Sequence, residues 1–369
     1  IKECDWSSDV CSSDLSIRET IESLGGEYRF GTRVDDFEVE ERDGERRLKG
    51  LHLSNGEFLP ASHVVMAVGH SARDTFQVLH DRGVHMEAKP FAIGVRIEHP
   101  QGWIDTARYG PFAGNKILGP AAYALSHQAK STGRTVYSFC MCPGGRVVAA
   151  TSEEGRVVTN GMSQYSRNER NANAGLVVGI DPSDFPQDPE TIERLVGEGR
   201  QTVRLDVNDC ADGIHPLSGI ALQRQLESAA FVAGGGQYLA PAQRVGDFLA
   251  QQASTQLGEV QPSYRPGVTP TDLSKVLPQY ATQAMREALP VFGRKIKGYD
   301  LPDAVMTGVE TRTSSPLRID RNDGDLQSPN CPGLYPAGEG AGYAGDILSA
   351  AVDGIKVGEA LAKAWPMAD

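Results

Sequence analysis

The sequence predicts an α/β protein in two parts: a parallel-sheet domain built from both ends of the chain, and a mixed α+β domain inserted between them. Three observations carry this. Gly333-Leu334-Tyr335-Pro336-Ala337 reads as a short apolar strand that stops at a cluster of glycines, from which a helix starts at once and runs to Lys363. Earlier, His63-Val64-Val65-Met66-Ala67-Val68-Gly69 has the composition of a strand buried on both faces, and it too ends on glycine. Finally, 369 residues exceed what one hydrophobic core usually serves.

Taken in order, Asp5 to Leu15 back-translates codon by codon into a common sequencing-adapter primer. Residues 1–15 are therefore set aside as non-native, with native sequence expected from Ser16. Ile17, Ile21 and Leu24 at helical spacing before Gly25-Gly26 predict a helix with a glycine cap, and Glu27 to Phe30 a strand. From Thr32 to Met66, runs broken at Asp43-Gly44 and Ser54-Asn55-Gly56 predict a small β-meander. Ser71 is placed to cap a helix through Leu79, which Gly83 ends. Strands are expected at Phe91–Glu98, Ala121–His127, Arg134–Cys142 and Ala304–Glu310, while Pro143 to Val178 reads as a polar stretch rich in glycine and asparagine. Helices are expected at Glu190–Val196, Ser218–Ala233 and Leu273–Phe292, separated by proline-rich loops. The expected division is 16–90 with 301–369 as one discontinuous domain, and 91–300 as the inserted substrate domain.

Composition narrows the function classes. Hydrophobic residues at 40% and charged residues at 23% describe a globular enzyme type, not a disordered or fibrous chain. A net charge of −12 without any Lys/Arg run speaks against a nucleic-acid surface. Nothing apolar approaches the roughly 20 residues that span a bilayer, and no signal peptide is legible. Cys140, Cys142, Cys210 and Cys331 are too few and too irregular for a disulfide framework, so the expected location is the cytoplasm.

The candidate site residues cluster at the two strand ends. Gly338, Glu339, Gly340, Gly342 and Gly345 allow close backbone approach to a ligand, and the helix start at Asp346-Ile347 offers free N–H groups and a positive dipole end. Along that helix, Ala350, Gly354, Gly358 and Ala362 form a small-residue seam. Each mid-helix glycine costs roughly 1 kcal/mol against alanine, so the seam is expected to pack closely on a sheet. His70 follows the first glycine and could act as an acid or base, or only bond a loop. Arg312, Ser314 and Ser315 could clamp an anionic substrate or simply close a strand end. Cys140 and Cys142, two apart on a strand, would point to one face and could pass electrons as a thiol pair; the alternative is a pair of buried structural cysteines. No metal site is expected, because no second cysteine pair or nearby histidine completes a ligand set. Gly234-Gly235-Gly236 lacks the Lys-Ser/Thr of a phosphate loop.

Several of these stretches together resemble one family. The segment Glu27 to Val34, the Val64-to-Gly69 strand and the Gly333-to-Gly345 cluster are similar, in that order, to the two-dinucleotide-binding-domain flavoproteins. More closely, Phe91 to Glu98, Cys140-Met141-Cys142-Pro143-Gly144-Gly145, Asn160-Gly161-Met162-Ser163 and Glu310 to Pro316 resemble the bacterial "uncharacterised FAD-dependent dehydrogenase" group of NAD(P)/FAD-dependent oxidoreductases. The resemblance implies an incomplete, discontinuous Rossmann-like FAD-binding domain whose N-terminal βαβ unit and G-x-G-x-x-G loop are not in this sequence. It implies FAD as cofactor, NAD(P)H as hydride donor and a small-molecule substrate. It places Val34 on the adenine, Ala67 and Gly69 beneath the adenosine and pyrophosphate, Gly338 and Glu339 at the ribitol, and Gly345 to Ile347 at the isoalloxazine edge. Asp346 stands where the family tends to have glycine. Asn160 and Tyr165 are implied on the substrate side. Two alternatives stay open: FAD in a structural, non-redox role, and a binding protein with this fold but no turnover.

Overall fold

Two interleaved units make up the protein in a computed structural model that describes residues 8–42, 44–197 and 213–365. Unit 1 comprises Ile1–Tyr28, Ala92–Gly179 and Leu226–Thr311; unit 2 comprises Arg29–Phe91, Ile180–Gln225 and Arg312–Asp369. Cys210, residues 1–7 of the adapter-like stretch and Asp43 of the first turn lie outside the described residues.

Helix α1 (Ser8–Ser23) precedes a meander of β1 (Val34–Arg42), β2 (Glu45–Leu53) and β3 (Phe58–Pro60), then β4 (Val64–Met66), α2 (Arg73–Asp81) and β5 (Met86–Ala88). Next come β6 (Phe91–Pro100), α3 (Gln101–Tyr109), β7 (Ser126–Gln128), β8 (Thr135–Ala149), β9 (Thr159–Ser163) and β10 (Asn171–Ile180). Helices α4 (Pro189–Val196) and α5 (Ser218–Ala233) lead to β11 (Ala240–Arg244), α6 (Val245–Leu249), β12 (Val268–Pro270) and α7 (Gln279–Lys295). The chain ends with β13 (Val305–Glu310), β14 (Leu317–Ile319), β15 (Leu334–Pro336) and α8 (Ile347–Ala364). Among the described residues no helix is long and apolar enough to cross a membrane.

In unit 2 the meander forms as its turn residues demand, with Gly56 at φ 84° closing the β2–β3 turn. The decisive pairing is long-range. Strand β15 runs parallel to β4 with Tyr335 opposite Val65, and the Ala337 N–H extends the ladder to the Met66 carbonyl at 2.9 Å. Beneath lies an apolar core of Phe37, Leu48, Phe76, Leu79, Leu317 and Leu334. Four expectations fail here. Residues 27–30 are not a strand: Phe30 is exposed, Arg29 is drawn to Glu57 at 3.0 Å, and the segment runs as coil. The β4 strand is buried on one face only, with Val65 and Val68 both about 40% exposed. Ser71 does not cap α2; Ala72 takes that position without a side-chain bond, and the Ser71 hydroxyl accepts from Arg312 instead. Among the described residues of unit 2 nothing packs on the α8 seam, since Gly354 and Gly358 meet no atom there and Ile347, Leu348 and Ile355 are exposed; the helix is held by Asp353 and Val357.

Unit 1 is built on an eight-stranded mixed sheet in the order β12-β11-β13-β6-β10-β8-β7, with β9 paired to β8. Central strand β6 is buried almost throughout, and α7 contributes Ala281, Ala284, Met285, Ala288, Leu289 and Phe292 to the core. That helix starts at Gln279, not Leu273, because Pro278 cannot continue a helix from a preceding turn; residues 273–275 form a separate 3₁₀ turn. The Ala121–His127 strand shrinks to β7. The stretch read as polar from Pro143 to Val178 instead holds the end of β8, all of β9 and most of β10. Its asparagines point inward: Asn171 donates to Glu98 at 2.9 Å, and Asn173 accepts from Arg96 at 3.3 Å.

Candidate functional site

Parallel pairing of β4 with β15 brings the loops at the carboxyl ends of the two strands side by side, which is where ligands sit in parallel α/β sheets. Gly69, Gly338 and Gly342 all have positive φ (74°, 73° and 86°), so each turn needs a residue without a Cβ. Gly340 is needed for a different reason. A Cβ there would lie 2.4 Å from the Gly69 carbonyl oxygen, so one glycine loop lies directly on the other. The Ser315 hydroxyl donates to the Gly340 carbonyl at 3.0 Å, Arg312 donates to Ser71 at 3.3 Å, and His70 Nδ1 lies 3.3 Å from a Glu339 oxygen. The sequence-chosen residues Gly69, His70, Arg312, Ser315, Gly338, Glu339 and Gly340 thus belong to one constellation in unit 2, with Ser314 half-buried beside it. Val34 lines a different concavity of about 220 Å³, shared with Arg33, Asp35, Phe37, Asp74, Thr75 and Val78 and with none of the glycines. Ala67 follows β4 directly, leading into Gly69.

Three supports of this constellation are not legible as such in the sequence. Asp353, in the middle of α8, receives two bonds from Arg321 at 2.6 and 3.0 Å and one from the Gly338 amide at 2.7 Å. Burial would raise its carboxyl, but Arg321 and the Gly338 N–H outweigh that and hold it below the usual range. Arg321 also lies 3.7 Å over the Tyr343 ring, so one ion pair ties helix, loop and aromatic together. The hint was an aspartate inside an otherwise small and apolar helical run. Lys89 is the second: burial lowers its ammonium, the nearby Arg318 adds to this, and Glu339 opposes it. The third is Asp346, which caps α8 by accepting from the Ser349 amide at 2.7 Å, while the Gly345 and Asp346 amides donate to Ser349 Oγ. The helix start offered to a ligand is therefore already met by its own carboxylate, held below the usual range by the Ser349 amide. The exposed Ile347 is the first helical residue after it.

In unit 1 the remaining candidates surround a buried ion pair. Arg96 and Glu310 are 0% and 2% exposed, with Nε to Oε2 at 2.6 Å and Nη2 to Oε1 at 2.8 Å. The same guanidinium donates to Asn160 Oδ1 and to the Cys140 carbonyl, each at 2.8 Å. Gly161 makes room for it, since a Cβ there would lie 2.4 Å from Arg96 Nη1. Asn160 thus has its oxygen committed to Arg96, whereas Tyr165 is 69% exposed. Cys140 and Cys142 do not share one environment as strand alternation implied. The β8–β10 register slips between Cys142 and Phe139, Cys140 takes φ 42°, and the first thiol is exposed while the second is buried. Among the described residues no group of His, Cys, Asp and Glu is placed to hold a metal.

A family model described as FAD-dependent protein, C-terminal domain-like, matches residues 90–313. The chain belongs to that family. An uncharacterised protein of Clostridium beijerinckii is 47% identical over 344 residues, which cover 93% of this chain and 58% of that protein. The chain therefore spans 58% of the length of this curated relative. Within this FAD-dependent family, the matched segment takes in Arg96, Cys140, Cys142, Asn160 and Glu310, together with Arg312 at its end.

Proposed function

We propose that this member of the FAD-dependent family is an oxidoreductase whose glycine loops at 67–70 and 338–342 seat the cofactor. The observation that carries the reading is the contact of Gly340 with Gly69 at the carboxyl ends of two parallel strands, where two glycine loops meet backbone to backbone. Residues 16–90 and 301–369 supply this flavin side, and 91–300 the substrate side. Glu339 would accept from ribitol hydroxyls, His70 would fix Glu339 or exchange a proton at the mouth, and Ser315 would hold the Gly340 carbonyl away from the ligand. Asp353 would position the loop from behind through Gly338. Gly345 to Ile347 would contribute less than the loops, because Asp346 already occupies the helix start. When bound, FAD would supply two-electron hydride transfer between NAD(P)H and a small-molecule substrate.

The test is a titration of the purified chain, and of the longer Clostridium protein, with FAD, followed by the flavin absorbance and fluorescence. Saturable uptake, and bleaching of the bound flavin by NADH or NADPH, is the expected result. Uptake without bleaching would favour a non-redox role, and no uptake by either protein would overturn the reading.

A further inference from the structure

We propose that Cys140 and Cys142 form a dithiol that exchanges with a disulfide, Cys140 as the attacking thiol and Cys142 as the resolving one. The inference is confined to unit 1 and stands apart from the flavin reading.

The backbone is the first ground. In β8 one extra residue is inserted opposite β10 between Phe139 and Cys142, and Cys140 adopts φ 42°, a left-handed conformation that a cysteine rarely takes. Two donors hold it there, because the Cys140 carbonyl accepts from Arg96 Nη1 at 2.8 Å and from Cys142 Sγ at 3.3 Å. Arg96 cannot drift, since Glu310, Asn160 and Asn173 all accept from it. Non-glycine residues in such conformations persist where the surroundings over-determine them. The result is an exposed cysteine on a bulge whose carbonyl is held by a fixed guanidinium, with the sulfur of a second, buried cysteine bonded to that same carbonyl.

Electrostatics point the same way. The Cys140 thiol is lowered by its pairing with Cys142 and then by the Arg96 charge, against burial, while Cys142 is raised by that pairing and by burial. The other titratable groups facing the pair are Glu310 and Tyr123; burial keeps the tyrosine protonated through the neutral range. Burial pushes Glu310 up to about 7 against the pull of Arg96.

The chemistry balances without any further reagent. The Cys140 thiolate attacks R–S–S–R, forming Cys140–S–S–R and releasing one RS⁻. Cys142 gives up its proton and attacks the Cys140 sulfur, forming the Cys140–Cys142 disulfide and releasing the second RS⁻. The substrate disulfide gains two electrons, the dithiol loses two, and the two thiol protons end on two RSH.

A single tryptic peptide, Thr135 to Arg146, holds both cysteines, so the outcome can be read directly. Reduced protein is treated with glutathione disulfide at neutral pH and mapped by mass spectrometry. The expected product in the parent chain is that peptide short of two hydrogens, with no glutathione attached. In Cys142→Ser it is a stable glutathione adduct on Cys140, and in Cys140→Ser the peptide stays unmodified. Iodoacetamide labelling of Cys142→Ser against pH should reach half its maximal rate at least one unit below the roughly 8.5 of an ordinary thiol. A persistent adduct in the parent chain, or equal reactivity of the two cysteines with an ordinary midpoint, would overturn the proposal.

Discussion

Unit 1 keeps Arg96, Glu98 and Glu310 out of water in the middle of a sheet, whereas unit 2 shapes its loops with glycine and anchors them from behind through Arg321 and Asp353. In unit 1 the buried Arg96 and Glu98 are met by polar side chains of neighbouring strands and loops. Glu98 accepts from Asn171, from Ser263 Oγ at 2.5 Å and from the Ser263 amide, and burial still raises its carboxyl. In unit 2 the two glycine loops meet through backbone, and Asp353 and Ser315 bond to them at Gly338 and Gly340. The contrast teaches that position is specified in two ways: a network fixes a cation under one residue, and the absence of side chains lets two loops touch.

The comparison breaks first, and most severely, at Glu310. Glu310→Ala would strand the Arg96 guanidinium in the sheet, and the expected loss is about 3–5 kcal/mol in denaturant unfolding of the chain. Arg96→Met with Glu310→Leu, which removes both charges, should cost clearly less than the single change. Equal costs would mean that the pair is not buried as described.

A smaller effect tests the same unit through pH. His99 is fully buried, its Nε2 lies 2.6 Å from the Tyr299 carbonyl oxygen, and burial lowers its pKa to about 4. The folded state therefore binds fewer protons than the unfolded one. Stability from this group is present above its unfolded value near 6.5 and is lost as pH falls toward 4, by about 3 kcal/mol in full. Unfolding free energies measured from pH 7 to 4 should show this slope in the parent chain and a flatter one in His99→Gln.

Much of this was legible where local signals act alone. Asn55-Gly56 marks its turn, Ser218–Ala233 is a helix over the expected span, and the apolar runs at Val64 and Leu334 are the two strands that pair. What the sequence hid depends on distant partners. Strand β10 reads as polar because Asn171 and Asn173 look solvent-loving until Glu98 and Arg96 are known to lie opposite them. The bulge at Cys140 cancels the alternation on which a same-face reading rests. The α8 seam reads as a buried surface because glycine spacing reports what a helix could pack on, whereas within unit 2 Asp353 and Val357 face inward. Asp346 was legible only as a departure from the family's glycine; its role as the cap of α8 appears with its bond to the Ser349 amide.

The most direct measurement of the central claim is amide hydrogen exchange of the chain with and without saturating FAD. If the paired strand ends seat the cofactor, protection should rise at 67–71 and 338–343 and stay unchanged on the α7 side of unit 1. Protection confined to other segments, with these two loops exchanging as before, would contradict it.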